Sequence, residues 1–115
     1  MVQGTPLIVR VSPIAQLRLD EIWRWNALHF SENQATEYID FLEKKTRTLG
    51  TEYLKGRQVP DRPSFRYVAF RKRAKGHGHV AVYEIRSSEV YVLDYLHTAQ
   101  DWLAQINAIL PRGGK

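Results

Sequence analysis

The chain has 115 residues, contains no cysteine and carries a formal net charge of +5, with 43% hydrophobic residues. This size and composition are typical of one globular domain, which we expect to span residues 1–115 with a core over about 7–110. Disulfide bonds and thiolate sites are excluded, and the four histidines do not have the spacing of a zinc site. No apolar run suits a membrane span and the N-terminal residues lack a secretory signal pattern, so we expect a cytoplasmic protein without a membrane partner.

The positive charge is concentrated in one segment, residues 55–79, which holds eight basic residues and one acidic residue, a net +7. The rest of the chain has nine basic and eleven acidic side chains, a net −2. A field of this size attracts polyanions or an acidic protein partner. A solvated loop and strand edge would have the same composition, so the block alone does not choose between these interpretations.

The first half of the chain predicts a strand followed by two helices. β-branched residues dominate residues 7–11 (LIVRV) and favour a strand. Ser12 and Pro13 fit the N-cap and first position of a helix over 13–29. Its apolar residues lie near one stripe, Ile14, Leu17, Trp25 and Leu28, which Leu19, Ile22 and Trp23 widen. Ser31 can cap a second helix over 32–49, which we expect Gly50 to end, and the short break predicts an antiparallel hairpin.

The second half predicts a sheet and a last helix. Residues 51–64 contain Gly56, Pro60 and Pro63 and predict a basic loop. Strands are predicted over 65–73, 79–85 and 89–96; the short turns at 74–78 and 86–88 make them an antiparallel meander. A helix over 98–110 ends at Pro111. The order predicts an α+β fold with an N-terminal strand, a helical hairpin packed on an antiparallel β-sheet, and a C-terminal helix. The first strand pairs with the meander at its edge or between its strands.

Several linked segments resemble the ParE/RelE superfamily of bacterial toxins, and most closely its ParE branch. The resemblance covers about residues 7–103. Residues 9–25 resemble the opening strand and first helix of the family: VRVSPIAQLRLDEIWRW. Its later motifs are matched by GR at 56–57, FR at 65–66, HVAVYE at 79–84 and YLHTAQDW at 95–102. The chain departs from the ParE pattern at Asp94, where a basic residue is common, and at Glu84, where arginine is frequent.

The resemblance implies the toxin of a type II toxin-antitoxin system, neutralised by a cognate antitoxin. Toxins of the ParE branch act on DNA gyrase through protein–protein contact, so DNA contact would be made through gyrase or the antitoxin complex. The antitoxin is expected to lay a helix across the apolar side of the hairpin and to add a strand to the sheet edge. No cofactor and no metal are expected.

The endonuclease branch of the superfamily is the alternative, a ribosome-dependent mRNA endonuclease. Such chemistry needs cations around a phosphoryl group and a base beside it. If the chain is a nuclease, its catalytic residues are Arg66, Arg71 and His97. The arginine expected on the next strand falls at about Val80, and neither arginine nor tyrosine follows the last strand. His97 also suits a structural hydrogen bond with Asp101. We therefore expect no catalytic residues and a gyrase inhibitor.

The candidate residues for binding a partner or nucleic acid are five cations of the basic segment and one aromatic residue: Arg57, Arg66, Arg71, Lys72, Arg73 and Trp102. Such arginines could hold an acidic antitoxin segment or DNA phosphates. A third hypothesis is a plain nucleic-acid-binding domain that uses residues 55–79. It predicts DNA binding that weakens steeply with salt.

Overall fold

The computed structural model describes residues 5–73 and 76–110, so Lys75 in the predicted turn and the predicted helix stop at Pro111 lie outside the described residues. Secondary structure follows the order β1 (Ile8–Val11), α1 (Pro13–His29), α2 (Glu32–Glu52), β2 (Arg57–Val59), β3 (Arg62–Phe70), β4 (His79–Ile85), β5 (Glu89–His97) and α3 (Trp102–Ile109). The predicted α+β class is confirmed. The predicted bounds of α1 and β4 are the observed ones.

The sheet has five strands in the order β1-β5-β4-β3-β2, and it is mixed, because β1 pairs with β5 in parallel while the other neighbours are antiparallel. The prediction of a wholly antiparallel sheet is therefore wrong. Its error comes from β2, which was predicted as loop. Every connection from β1 to β5 is short, so the chain reverses direction at each successive helix or strand. The extra strand β2 adds one reversal to the predicted path, and β5 therefore runs parallel to β1 rather than antiparallel to it.

The strand β2 exists because Pro60 and Asp61 form a two-residue turn that returns the chain into β3. Val59 pairs with Arg62 across this turn, and Asp61 has a φ of 64°. Proline suits the first turn position, and aspartate tolerates the left-handed conformation of the second. The segment that was predicted as a basic loop is therefore the outer edge of the sheet.

Helices cover both faces of the sheet. The hairpin of α1 and α2 packs on one face, where the buried side chains include Leu19, Leu42 and Tyr83. The short helix α3 packs on the other face through Ile106, against Val80 and Val82. Alternation along the strands places neighbouring residues on opposite faces, so β3, β4 and β5 each contribute to both cores.

The predicted caps of both hairpin helices are confirmed. The Ser12 hydroxyl accepts a hydrogen bond from the Ala15 amide and the Ser31 hydroxyl accepts one from the Gln34 amide. The orientation of α1 differs from the predicted stripe. Buried residues on this helix are Ala15, Leu19 and Ile22, whereas the stripe formed by Ile14, Leu17, Trp25 and Leu28 is exposed. The helix has two apolar faces, and only one of them packs in the core.

Two predicted helix ends are wrong. Gly50 lies inside α2, which continues to Glu52. A Cβ atom at position 50 would lie 2.8 Å from the Leu7 carbonyl oxygen, so glycine lets β1 approach the helix rather than ending it. Helix α3 begins at Trp102 rather than near residue 98, because Asp101 caps it and residues 98–100 form a turn.

Candidate functional site

A cleft of about 390 Å³ opens on the α3 face of the sheet, beside the edge strand β2 and its neighbour β3. We call it the basic–aromatic cleft; the side chains that define it are Lys55, Arg57, Tyr67, Arg71 and Trp102. Ala69 and Val80 contribute an apolar floor. The tyrosine and tryptophan rings lie 4.9 Å apart between centroids at an angle of 51°. The cleft thus combines three cations with an aromatic pair.

Strand pairing brings these residues together. Arg57 lies directly opposite Tyr67 in the β2–β3 ladder, and directly opposed residues share one face of a sheet. Arg71 is four residues beyond Tyr67 and continues the same alternation past the end of β3. Trp102 reaches the cleft as the first residue of α3, whose start is fixed by the Asp101 side chain at the Ala104 amide.

Three of the six candidate binding residues, Arg57, Arg71 and Trp102, line this cleft. Lys72 lies elsewhere, with its ammonium nitrogen 3.7 Å from a carboxylate oxygen of Glu37 on α2. Arg73 is exposed at the end of the first described segment. Sequence reasoning missed Lys55 and Tyr67. The Pro60–Asp61 turn was the available signal, because a hairpin there would place Arg57 beside Tyr67.

Arg66 is engaged with the backbone. Its Nη1 atom donates to the carbonyl oxygens of Gly56 at 2.6 Å and Leu54 at 3.3 Å, so it holds the segment between α2 and β2. Its Nε atom is buried and has no hydrogen-bond partner in the described part of the chain. Beside it, the Tyr83 hydroxyl donates to the Tyr53 carbonyl at 2.7 Å. The Arg66 guanidinium is therefore occupied by hydrogen bonds to the protein's own backbone.

The three residues that a nuclease would require are not brought together. Arg66 on β3 pairs with Tyr83 of β4, and His97 on β5 pairs with His79, which is four residues from Tyr83 along β4. Arg66 and His97 are therefore two strands apart and four residues apart in register. This register separates their Cα atoms by about 16 Å. Arg71 lies on the opposite face from both, in the basic–aromatic cleft. Val80, where an arginine was expected, is 1% exposed and packs in the α3-side core.

His97 lines a second and larger cleft, of about 870 Å³, on the hairpin side. Three imidazoles follow one another there: the His97 ring lies 5.3 Å from His77 and 5.1 Å from His79 between centroids. The His97 Nδ1 atom accepts a hydrogen bond from the Ala99 amide, and Asp101 is used by α3. The interpretation that paired His97 with Asp101 is therefore wrong.

The buried histidine of this cluster is neutral. His79 is 8% exposed, and its Nδ1 atom lies 2.6 Å from the Tyr38 hydroxyl of α2. Burial, with smaller effects from His97 and Arg18, lowers the pKa of His79 to about 4. Burial and the neighbouring His77 also lower the pKa of His97. The cluster therefore carries no charge from these two imidazoles near neutral pH.

Asp94 departs from the family pattern and forms an ion pair across the wall of this cleft. Its carboxylate, 3% exposed, receives two hydrogen bonds from Arg18, from Nε at 2.9 Å and Nη2 at 3.2 Å. The Tyr95 amide also donates to it. The Ser12 hydroxyl donates to the carbonyl of Leu93, one residue earlier. These contacts attach α1 to β5 next to an irregularity in the β4–β5 ladder.

The exposed stripe of α1, together with Phe30, holds five of the nine large hydrophobic side chains that are exposed in residues 5–73 and 76–110. Its side chains are more than half exposed: Ile14 62%, Leu17 61%, Trp25 53% and Leu28 82%, with Phe30 following at 62%. Their helical spacing places them on one side of α1, so the stripe is continuous except for Glu21. Contiguous exposed apolar surface of this kind is a candidate interaction surface.

Residues 5–73 and 76–110 contain no group of three or more histidine or acidic side chains arranged to hold a metal ion. None of the described helices combines the length and apolar composition that a membrane crossing requires.

The architecture is a helical hairpin on one face of a mixed sheet and a short helix on the other. A chain of the chromosomal ParDE TA system from P. aeruginosa has the same fold, with a TM-score of 0.66. The match covers 80% of this chain and 96% of that chain at 14% identity. No curated protein matches. The model of the ParE toxin of type II toxin-antitoxin systems, parDE, matches residues 9–102, and the chain belongs to this family.

Proposed function

We propose that this ParE-family toxin inhibits DNA gyrase through protein–protein contact in the cytoplasm, without catalysing a reaction of its own. The observation that carries this proposal is the dispersal of the nuclease candidates. Arg66 holds a loop, Arg71 lies on the other face of the sheet, and His97 lies about 16 Å from Arg66 by strand register. In-line phosphoryl transfer needs its charged groups and base around one phosphate. The choice of gyrase as target rests on the resemblance to the ParE branch.

Two assays on one protein preparation test the proposal. Supercoiled plasmid is incubated with cognate gyrase, ATP and the toxin, then treated with detergent and protease. Translating ribosomes receive the same toxin, and the mRNA is examined for cleavage. Linear DNA with intact mRNA is the expected result. Cleaved mRNA with unaffected DNA would contradict it and would make Arg66 and His97 candidates for catalysis again.

We further propose that the cognate antitoxin covers the exposed stripe of α1 with an amphipathic helix. The stripe has the spacing that a helix in a groove requires, and burial of Leu17 and Trp25 would remove large apolar areas from water. The two edge strands β1 and β2 offer places for an added antitoxin strand. DNA contact in the complex would then come through the antitoxin or gyrase.

The stripe is tested with matched charge substitutions. Leu17→Glu places a carboxylate in the stripe, whereas Gln16→Glu places the same group at the preceding residue, which is exposed but lies outside the stripe. Binding of the antitoxin is measured by calorimetry for both variants. We expect Leu17→Glu to weaken binding at least tenfold and Gln16→Glu to change it little. Equal effects would mean that the antitoxin does not use this stripe.

A further inference from the structure

The basic–aromatic cleft holds more positive charge than the surrounding protein neutralises. Lys55 has a carboxylate partner, Glu52, at 3.4 Å. Arg57 and Arg71 form no ion pair with any of residues 5–73 and 76–110. Both side chains are exposed. Their charges are therefore available to an anionic ligand, and guanidinium groups bind phosphate through two donors at once.

The aromatic pair gives the cleft a surface for ring stacking, which its charged groups do not provide. Tyr67 and Trp102 are half-buried, so each packs on the fold and still presents surface to the cleft. An aromatic ring at the edge of a cationic groove is a platform on which an unpaired base stacks. The floor beside it, Ala69 and Val80, is apolar. A volume of about 390 Å³ is within the range of small-ligand pockets and suits one nucleotide.

The positions of the cations relative to the ring follow the path of a single strand. Arg57 lies opposite Tyr67, and Arg71 lies four residues further along the chain, just past the end of β3 and about 13 Å from Tyr67. Both aromatic rings line the cleft that these two cations share. A duplex would present its phosphates but would keep its base faces stacked away from Trp102. An acidic peptide would pair with the cations and leave the aromatic platform unused.

We propose that the basic–aromatic cleft binds single-stranded nucleic acid, with one base stacked on Trp102 and its flanking phosphates on Arg57 and Arg71. This activity belongs to the isolated chain. It does not depend on gyrase or on the antitoxin, so it stands or fails separately from the proposed function.

The test measures fluorescence anisotropy of the full chain with a labelled oligothymidine of about eight nucleotides. An abasic strand of the same length has the same phosphates and no base to stack. We expect the wild-type chain to prefer oligothymidine over the abasic strand by about 5- to 150-fold. With the two arginines engaged, the slope of log K against log salt should be about −1.4 for a single strand.

Variants separate stacking from charge. Trp102→Ala should weaken oligothymidine binding about 5- to 150-fold and leave abasic binding nearly unchanged, whereas Trp102→Phe retains a ring and should bind as the wild type does. Arg57→Ala and Arg71→Ala should each reduce the salt slope by about 0.7. Lys72→Ala is the matched control, because Lys72 belongs to the same basic segment but lies outside the cleft beside Glu37. It should change affinity less than twofold.

Several outcomes would overturn the proposal. Equal losses in Lys72→Ala and Arg57→Ala would show attraction by net charge and no defined site. Equal affinity for oligothymidine and the abasic strand would show that no base stacks on Trp102. Displacement of the oligonucleotide by polyglutamate at equal charge concentration would assign the cleft to an acidic protein. Circular dichroism of each variant checks folding; both arginine positions are exposed, so these two variants carry the test if Trp102→Ala unfolds.

Discussion

Stability should fall steeply in mild acid because of His79. The imidazole is neutral in the folded protein, since burial, His97 of β5 and Arg18 of α1 lower its pKa from 6.5 to about 4. In the unfolded chain it titrates at its ordinary value, so the unfolded state binds the proton first as the pH falls. The stability is fully present above pH 6.5 and is lost between pH 6.5 and 4. The shift of 2.5 corresponds to about 3 kcal/mol.

Urea unfolding followed by circular dichroism at constant ionic strength, from pH 7.5 to pH 4, measures this loss. The control is His79→Gln, which has no titrating group and can still accept a hydrogen bond from the Tyr38 hydroxyl. Carboxylates also titrate at the acid end, but they are common to both proteins. The stability difference between wild type and variant isolates His79. It should change by about 3 kcal/mol across the window, in favour of the variant at low pH.

The ionisable neighbours Tyr38 and His97 affect this measurement to different extents. Burial raises the pKa of Tyr38 to about 12, so the tyrosine stays neutral throughout. His97, whose pKa is also lowered, adds a smaller effect of the same sign, which the double variant with His97→Gln removes. A wild-type curve parallel to that of His79→Gln would refute the reasoning. An NMR titration that placed the His79 pKa at or above 6.5 would do so without any variant.

Three further substitutions test the packing. Gly56→Ala places a methyl group against the Tyr83 hydroxyl and should lower the free energy of unfolding in urea by about 2–4 kcal/mol. Adding Tyr83→Phe to the same chain should recover part of this stability. No recovery would contradict the clash. Arg18→Met leaves the Asp94 carboxylate buried without its cation and should cost about 2 kcal/mol, discounted because Arg18 is 39% exposed. Asp94→Asn added to Arg18→Met should reduce that cost. Ser12→Ala removes both a cap and the bond to the Leu93 carbonyl, so its loss, about 2 kcal/mol, should exceed that at the exposed N-cap of α2.

The helices and central strands were predictable because their signals are local. Ser12, Pro13 and Ser31 act within one helical turn, and the run of mainly apolar residues over 79–85 favours a strand without reference to a distant partner. The direction of β1 was not predictable in the same way. It depends on whether the short segment Arg57–Val59 is a strand, and three residues carry too little periodicity to decide that.

The packing face of α1 illustrates a different limit. Periodicity identifies apolar stripes but not the one that meets the sheet, and the buried stripe of α1 begins with the small residue Ala15. The larger side chains Leu17, Trp25 and Leu28 lie on the other side. The same limit applies to Arg66 in β3 and to Arg71 just beyond its end. Alternation predicts that Arg66 and Arg71 lie on opposite faces, but only the β2 neighbour shows which face forms a cleft.

The two proposed surfaces lie on opposite sides of the sheet, and this separation yields the last prediction. The exposed stripe belongs to α1 on the hairpin face, whereas the basic–aromatic cleft lies on the α3 face. An antitoxin helix on α1, with its added strand at the β1 edge, would leave the cleft open, so the toxin–antitoxin complex should still bind oligothymidine. Leu17→Glu should weaken antitoxin binding alone, and Arg57→Ala should weaken oligothymidine binding alone. Loss of both activities in either variant would mean that one surface serves both ligands, because independent sites more than about 10 Å apart are expected to act additively.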